Sequence, residues 1–220
     1  MKLSDFTLTI LKNFASINSG LVFQKGKRQR TLATDKSIFA DVDIIEDMPE
    51  VFGIYDLSTF LGNVTTLNSP ELTFTDKSVI MTDGSVTLTY YGCSPSLIVF
   101  PDPSKEINLT NVDVSFWLEA PMLNKMLKLA AMNKLTSISV VGKDGDLFLK
   151  THDKDSDTSN YITTKLGEYD GDDLSVTLNV SNLKFIPDDY KVEVQKDGFA
   201  NFTNKAGNIR YTVALQVESK

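Results

Sequence analysis

The side chains best suited to chemistry in this sequence are few and poorly assembled. His152 is the only histidine, and it precedes the acidic stretch DKDSD with no triad partner and no second histidine for a metal. It reads as a solvated residue at a strand end. Cys93 is the only cysteine, so no internal disulfide is available, and it reads as a small core or surface residue. Asp153, Asp155 and Asp157 occupy the first three ligand positions of a calcium loop, but Thr158 replaces the glycine of the sixth position and Thr164 the glutamate of the twelfth. That site is rejected. Glu168, Asp170, Asp172 and Asp173 around Gly171 offer carboxylates for acid–base work or for magnesium, yet carboxylates strung along one loop ordinarily form a solvated turn. There is no GxxxxGK[ST] and no GxGxxG after a strand. No cofactor, no metal and no enzymatic activity are expected.

Positive charge is what remains. Lys12, Lys125, Lys128 and Lys184 fall on the outward faces of helix candidates, and Lys25, Lys27, Arg28 and Arg30 crowd into a loop expected between two strands. Lysines on an outer helix face are normally just solvated. These gain weight because their helices belong to a pattern written twice.

The pattern is a short amphipathic helix followed by a ladder of alternating strands, starting near Ser4 and again near Ala120. Ser4 can cap a helix whose apolar face is Leu3, Phe6, Ile10, Leu11 and Phe14. Strands are expected at Gly20 to Gln24 and Ser37 to Ile44, then a short helix in YDLSTFLGNV with Asp56 or Ser58 as cap and Leu57, Phe60, Leu61 and Val64 inward. Leu72 and Phe74, Val79 and Met81, and Val86 and Leu88 alternate cleanly, with a hairpin turn at Asp83-Gly84. In the second half, Pro121 suits a first helical position, and Met122, Leu123, Met126, Leu127, Ala130 and Ala131 form an apolar stripe. A hairpin turns at Asp144-Gly145, and Leu174, Val176 and Leu178 lead to a second short helix in NVSNLKFIP, ended by Pro187. A hairpin around Asp197-Gly198 and the alternation Ile209, Tyr211, Val213, Leu215, Val217 close the chain. The fold class is α+β, with antiparallel sheets carrying helices on one side.

At 220 residues the repeat favours two domains, 1–103 and 104–220, with a linker near residues 100 to 107 where Pro101 and Pro103 interrupt pairing. The composition, 41% hydrophobic and 23% charged, suits a folded protein. No apolar run approaches the roughly 18 residues of a membrane span, and MKLSDFTLTI lacks a signal-peptide layout, so the chain reads as intracellular and not membrane-bound. The net charge of −7 argues against gripping nucleic acid by mass electrostatics, so any role on DNA must use local charge.

The stretch TILKNFASINSG ending at Gly20, IYDLSTFLG at 54–62, LGEYDGDD at 166–173, and IPDDYKVEV through IRYTVAL at 186–215 together resemble the sliding clamps of T4-type bacteriophages, the processivity factors of phage DNA polymerases. The resemblance extends, more faintly, to eukaryotic and archaeal clamps. It implies the DNA clamp fold: two similar domains with two helices each, three subunits closing into a homotrimeric ring whose helices line the hole. It implies that the ring encircles double-stranded DNA without regard to sequence and tethers the replicative DNA polymerase for viral DNA replication. An ATP-dependent clamp loader and late-transcription factors are the further partners it implies, in the cytoplasm of the infected bacterial host.

Carried onto this chain, the resemblance makes Lys12, Asn13, Lys125 and Lys128 DNA-facing, with Lys184 on the last short helix. The helix in YDLSTFLGNV departs by lacking a basic residue, which would leave the DNA off-centre. A docking pocket for partner peptides falls on Val99, Phe100 and Pro101 of the linker and on Val213, Ala214 and Leu215 of the last strand. Segments near Val86 to Tyr91 and Tyr161 to Leu166 are implied to meet between subunits. Two other readings compete: a β-rich virion structural protein, and a metal-dependent hydrolase or nuclease using the loop at Asp170 and Asp172.

Overall fold

Ser4 opens the first helix, as its place before a 3–4 apolar repeat requires. In the computed structural model, which describes residues 1–156 and 158–216, the Ser4 hydroxyl accepts from the Thr7 amide at 3.2 Å and starts α1 (Asp5–Ile17). The carboxylate that a capping box takes from the third helical residue comes here from Glu46, forty-two residues away. Its Oε1 accepts from the Ser4 amide at 2.5 Å and its Oε2 from the Thr7 hydroxyl. The buried stripe is Thr7, Ile10, Leu11, Phe14 and Ile17, and Phe6 is only half-buried.

The chain divides into two compact units, Met1–Glu106 and Ile107–Lys220. In the first, α1 is followed by β1 (Leu21–Phe23), β2 (Gly26–Leu32), β3 (Ile38–Met48) and β4 (Phe52–Ile54). Then come α2 (Leu57–Thr66), β5 (Glu71–Phe74), β6 (Ser78–Thr82) and β7 (Thr87–Tyr91). β1 pairs with β4, β2 with β3, and β5–β6–β7 form a meander, all antiparallel. Asp56 caps α2 by accepting from the Thr59 amide at 2.9 Å, and Leu57, Phe60, Leu61 and Val64 are buried beneath it. α1 lies on β3 and against α2. Phe23, Phe52, Phe60, Phe74 and Tyr90 fill the core edge to face, with ring centroids 5.3 to 6.2 Å apart. At the β6–β7 turn the Asp83 carboxylate collects the amides of Val86, Ser85 and Asn68, and these donors pull its pKa down to about 2.

The second unit begins with β8 (Val114–Leu118) and α3 (Ala120–Met132). It continues with β9 (Ser137–Lys143), β10 (Asp146–His152), β11 (Ile162–Glu168), β12 (Leu174–Asn179), β13 (Tyr190–Val194), β14 (Phe199–Asn204) and β15 (Ile209–Ala214). One sheet runs β11–β10–β9–β12, and β15–β14–β13–β8 are neighbours in another. Asp144 and Gly145 close the β9–β10 hairpin with φ of 52° and 85°, the paired left-handed conformation that matches strand twist in a two-residue loop. α3 borrows its cap as α1 does: the Ala120 amide donates to Asp189 Oδ1 at 2.8 Å, while Glu119 contributes no side-chain cap. Pro121 takes the second helical position, and the stripe narrows to Leu123, Met126 and Ala130, with Ala131 exposed.

The duplication extends to strand pairing. Each unit runs helix, four strands, a short helical segment, three strands; the first of the four pairs with the fourth and the second with the third. The last three form a meander in both, and the place that β8 takes beside β13 is held in the first unit by Met1, which exchanges backbone bonds with Leu72 of β5 at 2.8 and 2.7 Å.

Three expectations need correction. The second short helix of the second half is a single 3₁₀ turn, Val180–Asn182, so the described residues hold three α-helices and not four. Asn179, Ser181 and Asn182 compete for the backbone, the Asn179 side chain accepting from the Ser181 amide at 2.9 Å, and Pro187 leaves no room for further turns. Phe185 instead joins an aromatic cluster, 4.5 Å from Tyr211, 4.7 Å from Phe202 and 5.6 Å from Tyr190. From Gly26 onward the basic run is strand β2 and not a loop, and only Lys25 stands in the bend between β1 and β2. The last alternation leaves the ladder after Ala214; Val217 lies outside the described residues.

Candidate nucleic-acid interface and partner surface

α1 buries Ile10, Leu11 and Phe14, which turns Lys12 outward as an exposed residue with half-buried Asn13 beside it. In α3 the burial of Leu123 and Met126 leaves Lys125 and Lys128 exposed and one turn apart. None of these three lysines pairs with a carboxylate among the described residues. α2 presents Ser58, Thr59, Thr65 and Thr66, a neutral face. Lys184 is exposed but stands beyond the 3₁₀ turn, in a segment without helix or strand.

The basic strand divides its charges. Lys25, in the bend before β2, and Lys27, at the register shift between Gly26 and Arg28, are exposed, whereas Arg28 and Arg30, two apart along the strand, are committed elsewhere. Arg28 forks onto Asp41 at 2.8 and 2.5 Å and onto Glu106 at 2.7 Å through two nitrogens. Hydrogen bonds to Asp41 and then Glu106 drive its pKa still higher. Arg30, 6% exposed, donates to the Lys105 carbonyl at 2.9 Å and the Pro103 carbonyl at 2.6 Å.

In the linker, Val99 is 42% exposed while Phe100 and Pro101 are half-buried. The Asn18 amide donates to the carbonyls of Val99 and Leu32, each at 2.8 Å. In the last strand Val213 is fully buried, so strand alternation removes it from any docking surface; Ala214 is exposed and Leu215 half-buried. Leu215 borders an open cleft of about 500 Å³ lined by Leu174, Val176, Thr177, Lys196 and Gln216. A neighbouring polar cleft of about 540 Å³ shares Ser175, Thr177 and Gln216 with it. The two clefts meet where the Gln216 amide donates to the Thr177 carbonyl of β12 at 2.8 Å, a contact that no sequence pattern announces.

His152 ends β10 as expected, but it lines the polar cleft and is half-buried where full solvation was expected. Its Nε2 lies 2.7 Å from Ser139 Oγ, and burial followed by the nearby Lys150 charge pushes its pKa down. Of the calcium-loop aspartates, Asp157 lies outside the described residues. Glu168, Asp170, Asp172 and Asp173 are exposed along a turn built around Tyr169, whose hydroxyl donates to the Asp172 carbonyl at 2.9 Å. Tyr169 lies so close over β9 that a Cβ at Gly142 would stand 2.3 Å from its ring. Among the described residues no three acidic, histidine or cysteine side chains are grouped to hold a metal, and no helix is long and apolar enough to cross a membrane.

Among the strands that stand at sheet edges are two with exposed tyrosines in or beside them. β7 is an edge of β5–β6–β7, and β11 is an edge of β11–β10–β9–β12. Tyr91 and Tyr161, beside or within these edges, are 75% and 66% exposed.

Residues 2–100 match the family model of the DNA polymerase processivity factor. The sliding clamp of Enterobacteria phage T4 is 30% identical over 229 residues, covering 100% of this chain and 98% of the relative. The sliding clamp of Escherichia phage RB69 is 29% identical over 228 residues with the same coverage. The fold is shared more widely: A. fulgidus PCNA, in a structure with the C-terminal region of FEN-1 bound, aligns with a TM-score of 0.71 at 15% identity, over 100% of this chain and 98% of that one. A match along the full length to clamps displaces the virion-subunit and hydrolase readings. The chain belongs to the sliding clamp family, the non-enzymatic DNA polymerase processivity factors of T4-type phages.

Proposed function

We propose that three copies close head to tail into a ring around duplex DNA, with Lys12, Asn13, Lys125 and Lys128 turned toward the phosphates. The observation that carries this reading is the exposure of unpaired lysines on the equivalent helices α1 and α3 of a chain whose net charge is −7. A ring holds DNA by topology, so phosphate contacts need only be weak and sequence-blind, which permits sliding. Charges beyond about 8 Å are largely screened at physiological salt, so a basic lining works despite an acidic exterior. Neutral α2 leaves the DNA drawn toward α1 and α3, and Lys184 adds a charge at the margin.

Ring closure requires a heterologous interface, and the edges of β7 and β11 are suited to it because each offers unpaired ladder groups. The ring tethers the replicative polymerase in the cytoplasm of the infected bacterium, after an ATP-dependent loader places it on DNA, and late-transcription factors use the same surface. The candidates for docking are Val99, Phe100 and Pro101 of the linker and, taken separately, Ala214 and Leu215 of the last strand. The precedent is peptide docking on this fold, as with the C-terminal region of FEN-1 on A. fulgidus PCNA.

Lys125→Glu combined with Lys128→Glu is expected to cut processive synthesis by about tenfold or more, since two attractive phosphate contacts become repulsive. The solution mass should remain three times the 24.4 kDa chain. Unchanged processivity in that variant would sink the assignment of α3 to the DNA.

A further inference from the structure

We propose that Arg28 and Arg30 are positioning residues that clasp the linker, holding Val99, Phe100 and Pro101 in a docking conformation before any partner peptide arrives. The inference rests on the reading of those three residues as part of the partner surface. From Ile98 to Asp113 the chain has neither helix nor strand, so the ladder bonds that usually order a backbone are missing there. Side chains of the first unit replace them. At the near end Asn18 fixes the Val99 carbonyl at 2.8 Å. At the far end Arg30 holds the carbonyls of Pro103 and Lys105, and Arg28 takes both oxygens of Glu106 at 2.7 Å. Between these anchors the Asp102 carboxylate accepts from the Ser104 amide at 2.9 Å, and the Lys105 amide returns to the Asp102 carbonyl at 3.1 Å.

Both arginines are themselves immobilised. Arg30 is 6% exposed, and Arg28 is locked from behind by Asp41, which is 8% exposed. Their alternate spacing along β2 points both at the linker. A planar guanidinium with five donors can serve two carbonyls or two carboxylates at once, which lysine cannot. The Glu106 arm is the half-exposed one, so it can be cut without opening the core. Segments ordered before binding do not lose that freedom on binding, and a preordered linker therefore docks a peptide more tightly.

The test compares the wild-type ring with Glu106→Ala, Arg30→Ala, Arg28→Lys and Val99→Asp. It measures amide hydrogen exchange over residues 99–106, and the affinity for a synthetic peptide copying the C-terminal segment of the phage's own polymerase. Glu106→Ala and Arg30→Ala are expected to speed exchange in that stretch by about tenfold and weaken the peptide by a similar factor, with Arg28→Lys intermediate and the ring mass unchanged. If Arg30→Ala does not fold, half-exposed Glu106→Ala still decides the question. Wild-type exchange rates in Glu106→Ala would overturn the clasp. Faster exchange with unchanged peptide affinity, while Val99→Asp weakens binding, would overturn the positioning role. No effect of Val99→Asp would instead overturn the partner-surface reading on which the proposal stands.

Discussion

Glu46 shows how much a single side chain can depend on the fold around it. Nothing in its neighbourhood of the sequence marks it as a cap, yet its two oxygens accept from Ser4 and Thr7 at the start of α1. Burial works against its charge, but the hydrogen bonds from Thr7 and Ser4 outweigh burial and hold its pKa below the ordinary 4.5. A depressed carboxylate favours the folded state fully above pH 4.5 and loses that contribution as pH falls through its folded value. Glu46→Gln is expected to destabilise the protein by about 1 kcal/mol at neutral pH, the usual worth of a helix cap. The gap between wild type and variant should close as the pH is lowered below 4.5, as thermal melts across pH would register. A gap of constant size would mean that the charge at Glu46 contributes nothing.

Lys134 governs the end of an element in the same indirect way. It follows α3 with φ of 55°, and the Lys134 and Leu135 amides return to the Ala131 and Ala130 carbonyls at 3.2 and 2.9 Å. This is a Schellman closure in which glycine would be the common residue. The left-handed conformation costs an L-residue about 1–2 kcal/mol, while glycine gives back roughly 0.5–1 kcal/mol in unfolded-state freedom. Lys134→Gly should therefore stabilise the chain by about 0.5–1 kcal/mol, seen as a higher urea midpoint at unchanged slope. The failed fourth helix makes the complementary point. Val180 and Leu183 stand three apart, as a helix face requires, but Phe185 packs against Tyr211, and the segment serves that contact after one 3₁₀ turn.

For the whole molecule the decisive property is topological. A closed ring should remain on circular duplex through a salt wash that screens phosphate contacts, and should be lost from linear duplex by sliding off the ends. Gel filtration of loaded complexes on nicked circles, before and after linearisation, measures this directly. Equal retention on both forms would mean that the chain grips DNA and does not encircle it. The weak contacts proposed for the ring suit the charge: with a net −7, Lys12, Lys125 and Lys128 would act locally.

The sequence by itself determined the three α-helices and the alternating strands and hairpins, because the 3.6- and 2-residue periods and the turn residues are local. The Asp56 cap, the Asp144-Gly145 hairpin and the inward set Leu57, Phe60, Leu61 and Val64 all follow from neighbours within a few positions. The helix lysines were legible for the same reason, since each stands opposite an apolar stripe. Tertiary structure alone decided which charges are available and which side chains reach a surface. Arg28 and Arg30 resemble the lysines beside them in sequence, but Asp41, Glu106 and two linker carbonyls claim them. His152 is half-shielded from solvent in a cleft whose floor comes from β9 and β12. Each of these outcomes depends on partners tens of residues away, brought close by strand register and packing, and no local period encodes them.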